Sequence, residues 1–354
     1  MVVKSVPDPS QQGFILAAVL WALVCMLVAV GFFHAVVERK LAIGLEARAQ
    51  ISNRLDLHST EQTMLYLLAT SRFTLAGMSF SPLTQEQLRS DETAFLLPVG
   101  DELRLDGVQY KGLGGTYFSL QDNAGLLSLN SLDEAHLERF LKHQGATNTE
   151  RARLMAAKAD YIDVDDQERL SGAESSQYRA RQMQIPPNDF LRTPAELVRI
   201  MGWREQMTNF SLSRYDDVFN ARRFSLTNIN AMPEYLMVKY LGLTESAASL
   251  LYSERQSNPV RTLSDFMLRT NYQTRIDEDT FGYFPSQEIS LRFWSEGGGQ
   301  ARLISLQLTP NGLLGPWLVD YEYSVEPPEI NNEPLAIRQS NLFNPTLDDV
   351  IREH

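Results

Sequence analysis

Residues 14–33, FILAAVLWALVCMLVAVGFF, form a run of 20 positions without a charged side chain. At ~1.5 Å of rise per residue, a helix of that length matches the ~30 Å hydrocarbon core of a bilayer. In lipid every backbone amide and carbonyl needs an internal partner, so the run predicts one membrane-spanning helix. A cleaved secretory signal is the competing reading. Its apolar region is about 7–15 residues long and ends in a small-x-small site, which His34-Ala35-Val36 fits poorly. No proline occurs between Pro9 and Pro82, and Ala, Leu, Glu and Arg dominate from Glu38 to Leu68, so the helix is expected to continue as a stalk to about residue 75. Leu41, Leu45, Ile51, Leu55, Met64, Leu65 and Leu68 recur at three-to-four spacing, an apolar stripe for packing.

The remainder of the chain is soluble in character, since the mean hydropathy is −0.23 despite this block. A length of 354 residues leads us to expect two domains or one interrupted domain. The net charge of −12 gives no electrostatic basis for holding a phosphate backbone, so no nucleic-acid partner is expected. Cys25, the one cysteine, lies in the apolar run, so an internal disulfide is impossible.

From Ala94 to Leu129 short apolar runs are punctuated by glycine, with Asp106-Gly107 and Asn123-Ala124-Gly125 as turn candidates. A second strand-rich stretch runs from Ile289 to Val325, with turns at Gly297-Gly298-Gly299 and Asn311-Gly312. Between them, residues 131–285 read as helical. Helix starts are expected at Ser131-Leu-Asp133-Glu134, at Thr193-Pro194-Ala195-Glu196 and at Asn230 ahead of Pro233. The expected class is α+β: a membrane and stalk helix, then an antiparallel sheet domain (76–130 and 286–326) interrupted by an all-α insertion (131–285). In the last stretch, 327–354, Asn and Pro are frequent and periodicity lapses, which predicts a flexible or partner-ordered tail.

The junction Gln12-Gly13-Phe14 resembles a type IV prepilin processing site, which implies a leader of residues 1–13, cleavage after Gly13 and N-methylation of Phe14. Lys4 is the leader's only basic side chain, and Arg39 and Lys40 follow the span, so orientation rests on the resemblance and not on the positive-inside rule. Most pilin-like subunits carry a glutamate five residues into the mature chain; here Ala18 replaces it. A carboxylate at that depth costs about 2.5–3.5 kcal/mol unless it pairs with a neighbouring subunit's terminal amine. A subunit without it suits the first position of a filament.

Four body segments carry a more specific resemblance: LQDNAGLLSLNSL (120–132), ADYIDVDDQERLSGAE (159–174), FLRTPAELVRIMGW (190–203) and FSLTNINAMPEYLMVKYLGL (224–243). With the prepilin-like N-terminus they occur in the order seen in the K-component minor pseudopilin of type II secretion. The resemblance implies a pilin-like sheet domain with a SAM-like, helix-hairpin-helix insertion, and a structural role instead of an enzymatic one. It implies a single-pass protein of the bacterial inner membrane with its C-terminal body in the periplasm, placed at the tip of the pseudopilus. The implied partners are the I and J minor pseudopilins, the major pseudopilin and prepilin peptidase. Rival readings are a type IV minor pilin, a bitopic protein using the hairpin module on nucleic acid, and a membrane-tethered hydrolase.

Two constellations bear on chemistry. Taking Asp163 as position 1 of a twelve-residue calcium loop places Asp165 at 3, Gln167 at 5, the Arg169 carbonyl at 7, Ser171 at 9 and Glu174 at 12. Glu168 stands where such loops need glycine, leaving Gly172 to make a different turn. A solvated acidic loop is the alternative. No cofactor is required; a calcium ion, which the resemblance implies for some members, would be structural. Tyr240-Leu-Gly242-Leu-Thr244 resembles a phosphate-binding hairpin, but Glu245 and Glu254 flank it, so a packing role with Gly242 as the turn residue is expected. His34, His58, His136, His143 and His354 are scattered, and no hydrolase or phosphate-loop motif occurs.

Overall fold

A computed structural model describes residues 12–82, 89, 94–131, 133–210, 214–223, 226–272, 280–328, 337–339 and 343. Leader residues 1–11, Leu132 and most of the expected tail lie outside the described residues. The chain divides into two compact units, Met1–Leu55 and Asp56–His354. The helix α1 runs from Gln12 to Thr70 and ends short of the expected residue 75. Its first unit exposes Leu16, Leu20, Trp21, Leu27 and Phe32 around the whole circumference, a surface suited to lipid. The helix is long and apolar enough to cross a membrane.

In the second unit, the hairpin of β1 (Arg72–Thr74) and β2 (Gly77–Ser79) follows α1. Then come β3 (Asp106–Lys111) and β4 (Thr116–Asp122). After β4 the chain forms β5 (Leu127–Ser128), α2 (Ala135–His143), α3 (Asn148–Ile162), α4 (Ser175–Ala180) and α5 (Trp203–Asn209). It continues through β6 (Phe219–Asn220), β7 (Thr227–Asn228), α6 (Glu234–Lys239), α7 (Glu245–Glu254) and α8 (Leu263–Thr270). The last elements are β8 (Phe281–Gly282), β9 (Glu288–Ser295), β10 (Ala301–Leu308), β11 (Trp317–Val325) and β12 (Ile337–Gln339). The architecture is α+β.

One six-stranded sheet, ordered β11-β10-β9-β4-β3-β12, organises this unit. β4 and β9 are antiparallel neighbours in the register Tyr117↔Trp294, Leu120↔Leu291 and Asp122↔Ile289, so everything between leaves the sheet and returns beside its point of departure. Alternation places Phe118, Leu120, Leu291 and Phe293 on one face, where Met64, Leu65 and Leu68 of α1 cover them. Each such fully buried side chain contributes roughly 1.5–3 kcal/mol. Thr60 of α1 approaches the β3–β4 turn so closely that a Cβ at Gly112 would lie 2.6 Å from its Cγ2. Thr60 Oγ1 also accepts Leu113 N–H at 3.1 Å. Buried Glu61 pairs with Arg302 of β10 at 2.6 Å.

The inserted module has its own core, including Phe140, Leu154, Tyr178, Trp203, Phe219 and Phe266. Trp203 Nε1 donates to Leu154 O at 2.9 Å. Two buried carboxylates tie this module to the sheet. Asp122 accepts from Ala124 N–H (3.0 Å), Asn228 Nδ2 (2.8 Å), Ser286 N–H (3.1 Å) and Ser286 Oγ. Asp106 receives both Arg104 and Arg255. Burial pushes Asp106 up, but the two guanidiniums hold it below the ordinary carboxylate range.

Several expectations need correction. Asp106-Gly107 is not a hairpin turn: Gly107, at φ +79°, sits at an irregularity inside β3 between Asp106 and Gln109, where only glycine adopts that backbone readily. The region 131–285 is not all-α, because β5 pairs in parallel with β6, and β7 with β8; two-residue strands carry too little alternation to be read. Pro194–Arg199 is a 3-10 helix of about two turns that opens on proline, not an α-helix. The tail is not wholly without structure, since Ile337–Gln339 pairs in parallel with Gln109–Lys111 and satisfies the open edge of β3. Phe343 packs edge-on against Phe118 at 5.9 Å.

Candidate functional site

Among the described residues, one group of three or more His, Cys, Asp or Glu side chains converges closely enough to share an ion: Asp160, Asp163 and Glu174, with ligand oxygens within 4.8 Å of one another. Local structure explains the convergence. A capping box of Thr147 and Glu150 starts α3, and the helix runs far enough to put Asp160 in its last turn and Asp163 at its C-cap. At i and i+3 the two carboxylates share a helix face. The chain then loops back so that Glu174 opens α4.

Asp160 is the fixed member. Its Oδ2 accepts Ala173 N–H at 2.9 Å and Arg169 N–H at 3.2 Å, and its Oδ1 accepts Arg169 Nη1 at 2.8 Å. Arg169 Nη1 also donates to Asp163 Oδ2. The loop is wrapped so tightly that a Cβ at Gly172 would lie 1.9 Å from Asp160 Oδ2. Ser171 is in the left-handed region at φ +68°, and this pair makes the turn that Glu168 cannot.

Glu174 is 3% exposed, and no side chain donates to either of its carboxylate oxygens, which face only the backbone of the first turn of α4; Oδ1 of Asp163 is unbonded. Burial, and then the charges of Asp160 and Asp163, push the Glu174 carboxyl above its ordinary range. Buried acceptors without side-chain donors, facing like charges, are what a hard cation would satisfy. The donor set therefore fits an oxygen-preferring dication.

The twelve-residue register expected from the sequence is only partly used. Asp163 and Glu174 meet, but with Asp160, which precedes position 1. Asp165 is exposed, with Oδ1 accepting Gln167 N–H at 2.8 Å, and Gln167 is exposed as well, so neither joins the cluster. The i, i+3 spacing of Asp160 and Asp163 at a helix end is the signal that would have found the third carboxylate.

Gly13 and Phe14 lie in the opening turns of α1, and Ala18 is exposed one turn further on. In the hairpin, Gly242 adopts φ +78° and packs on His143, whose Cε1 would stand 2.9 Å from a Cβ there. Leu241 and Leu243 on either side are buried in the module core, as a packing role requires. The cleft beside it is lined by Glu138, Arg139, Lys142, His143 and Arg151, in which three cations, Arg139, Lys142 and Arg151, stand beside one carboxylate. His136 Nε2 donates to Ser128 O at 2.6 Å, and burial lowers its pKa; His34 pairs with Glu38 at 3.1 Å on the exposed helix.

Residues 119–211 match the family model for protein K of the type II secretion system (T2SS), first domain. Among solved structures, the chain is similar to one in the GspK–GspI–GspJ complex of the type 2 secretion system of enterotoxigenic Escherichia coli. The identity is 16%, the coverage 80% of this chain and 100% of that one, and the TM-score 0.52, a likeness of fold. No match is found among the curated proteins.

Proposed function

We propose, from the match of residues 119–211 to the protein K family of type II secretion, that this chain is a minor pseudopilin that stands at the tip of the pseudopilus and helps to start its assembly. Residues 14–33 hold it in the bacterial inner membrane, and the body beyond occupies the periplasm. Prepilin peptidase removes residues 1–13 and Phe14 is N-methylated. Its companions are the I and J minor pseudopilins, with the major pseudopilin following; the related solved chain was captured in a complex of that kind. The work is architectural and calls for no catalysis.

Ala18 carries this reading. A carboxylate at that position needs the terminal amine of a subunit already placed above it, whereas a methyl group needs nothing, so this subunit can go first. Apolar stripes of neighbouring stalks would then bury one another below it. Intact-protein mass spectrometry, with and without prepilin peptidase, tests the class: we expect loss of residues 1–13 and one added methyl, and a retained leader would refute it.

For the acidic site, the reading is a structural calcium ion held by Asp160, Asp163 and Glu174. When bound, the ion supplies positive charge and oxygen-ligand bonds that tie the end of α3 to the start of α4. Asp160 positions the loop through its backbone contacts, and Glu174 gains a cationic partner for its buried oxygens.

A further inference from the structure

The Arg169 guanidinium stands between the same two carboxylates that an ion would have to bridge. Nη1 reaches Asp160 Oδ1 at 2.8 Å and also bonds Asp163 Oδ2. With Arg169 there, the oxygens in the cluster that no side chain bonds are Oδ1 of Asp163 and the two of Glu174. A calcium ion takes about six to eight oxygen ligands, so three are too few, and a guanidinium beside it repels a dication. For Asp160 and Asp163 both to turn an oxygen to the ion, the arginine has to leave.

The structure lets it leave without opening the core. The Arg169 side chain is 46% exposed, whereas Asp160 is fully buried. Asp160 remains fixed when the guanidinium departs, because Ala173 N–H still donates to it and Gly172 closes over it. The loop carries its own monovalent cation on a flexible stem, beside three carboxylates that would otherwise repel one another.

We infer that Arg169 is an internal counter-ion of the site, seated between Asp160 and Asp163 in the ion-free protein and expelled when a divalent cation enters. The inference rests on the calcium reading above and adds a regulation to it. The loop keeps its fold when calcium is scarce, and the apparent affinity falls by the fraction of molecules in which the arginine is seated. Arg169 is in this sense an affinity-setting residue, acting through the two aspartates.

The test is a calcium titration by calorimetry on the full chain in detergent, comparing wild type, Arg169→Gln, Arg169→Lys and Glu174→Gln, with melting curves in chelator and in saturating calcium. Arg169→Gln should bind calcium about ten- to hundredfold more tightly, the equivalent of the charge-assisted hydrogen bonds no longer displaced. It should melt lower than wild type in chelator and level with it in calcium. Arg169→Lys, which keeps the charge, should stay close to wild type in affinity. If wild type binds calcium and Arg169→Gln binds no more tightly, the arginine is not displaced and the inference is overturned while the calcium reading stands. If neither wild type nor Arg169→Gln binds calcium, the calcium reading fails and takes the inference with it. Loss of binding in Glu174→Gln alone identifies the site as the one described.

Discussion

At the scale of single residues, buried charge decides how this chain responds to pH. Glu288, at the start of β9, has a largely covered side chain next to Arg222 at 2.8 Å, which in turn meets Asp320. Burial outweighs the attraction of Arg222, with Asp320 and Asp122 adding repulsion, and the carboxyl is pushed up to about 7. A folded-state pKa above the unfolded value means that this group's contribution to stability is complete below pH ~4.5 and is lost as pH rises through about 7. Glu288→Gln cannot ionise, so its melting temperature should gain on wild type between pH 5.5 and 8.5. Between these two pH values the difference is worth up to about 2 kcal/mol, since the folded-state value of about 7 lies about 1.5 pH units above 5.5; parallel melting curves at both pH values would refute the assignment. Residues of this kind are invisible in the sequence, where Glu288 is one acid among many. The acidic loop was legible in part for the same reason. Charge density marked the segment, while the register depended on Gly172 and Ser171 making the turn, a property of backbone geometry.

At the scale of elements, the sheet was legible where strands are long. β4, β9 and β10 alternate over seven or eight residues each, and their turns at Gly297-Gly298-Gly299 and Asn311-Gly312 are marked by residues that favour turns. β5 to β8 and β12 span two or three residues and owe their existence to partners distant in sequence. The packing of α1 on the sheet could be anticipated from Met64, Leu65 and Leu68, but not its closeness, which depends on Gly112 meeting Thr60. Gly112→Ala should therefore destabilise the fold by about 1–3 kcal/mol, as overpacking does. Thr60→Ala makes room for the new methyl while losing the bond to Leu113. The double variant should be more stable than the sum of the two single effects implies, and a double-mutant cycle on melting data reads this directly. Additive effects would mean that the helix end does not press on the β3–β4 turn.

At the scale of the whole molecule, the insertion can be separated from the sheet by the logic of the register. Asp122 and Ile289 are partners on adjacent antiparallel strands, so their Cα atoms are about 4.5–5.5 Å apart and a short hairpin loop can join β4 to β9 in place of residues 123–287. The sheet's apolar face is covered by α1, not by the insertion, so its main core survives the excision. What is lost is Arg255 from Asp106, Asn228 and Ser286 from Asp122, Arg222 from Glu288 and Asp320, and Asp217 from Arg292, tethers whose partners on the sheet become open to water. Breaking a buried pair costs about 3–5 kcal/mol where the remaining charge stays dry; hydration after excision makes the cost smaller. The shortened chain should therefore still enter the membrane, be cut between Gly13 and Phe14 and resist protease. If the insertion is what blocks addition above this subunit, the same chain should co-purify with the I and J components but no longer confine itself to one end of the filament, as gold labelling of sheared pseudopili would reveal. Retention at one end would instead assign the tip position to Ala18 and the stalk, leaving the insertion a role in contacts above the sheet.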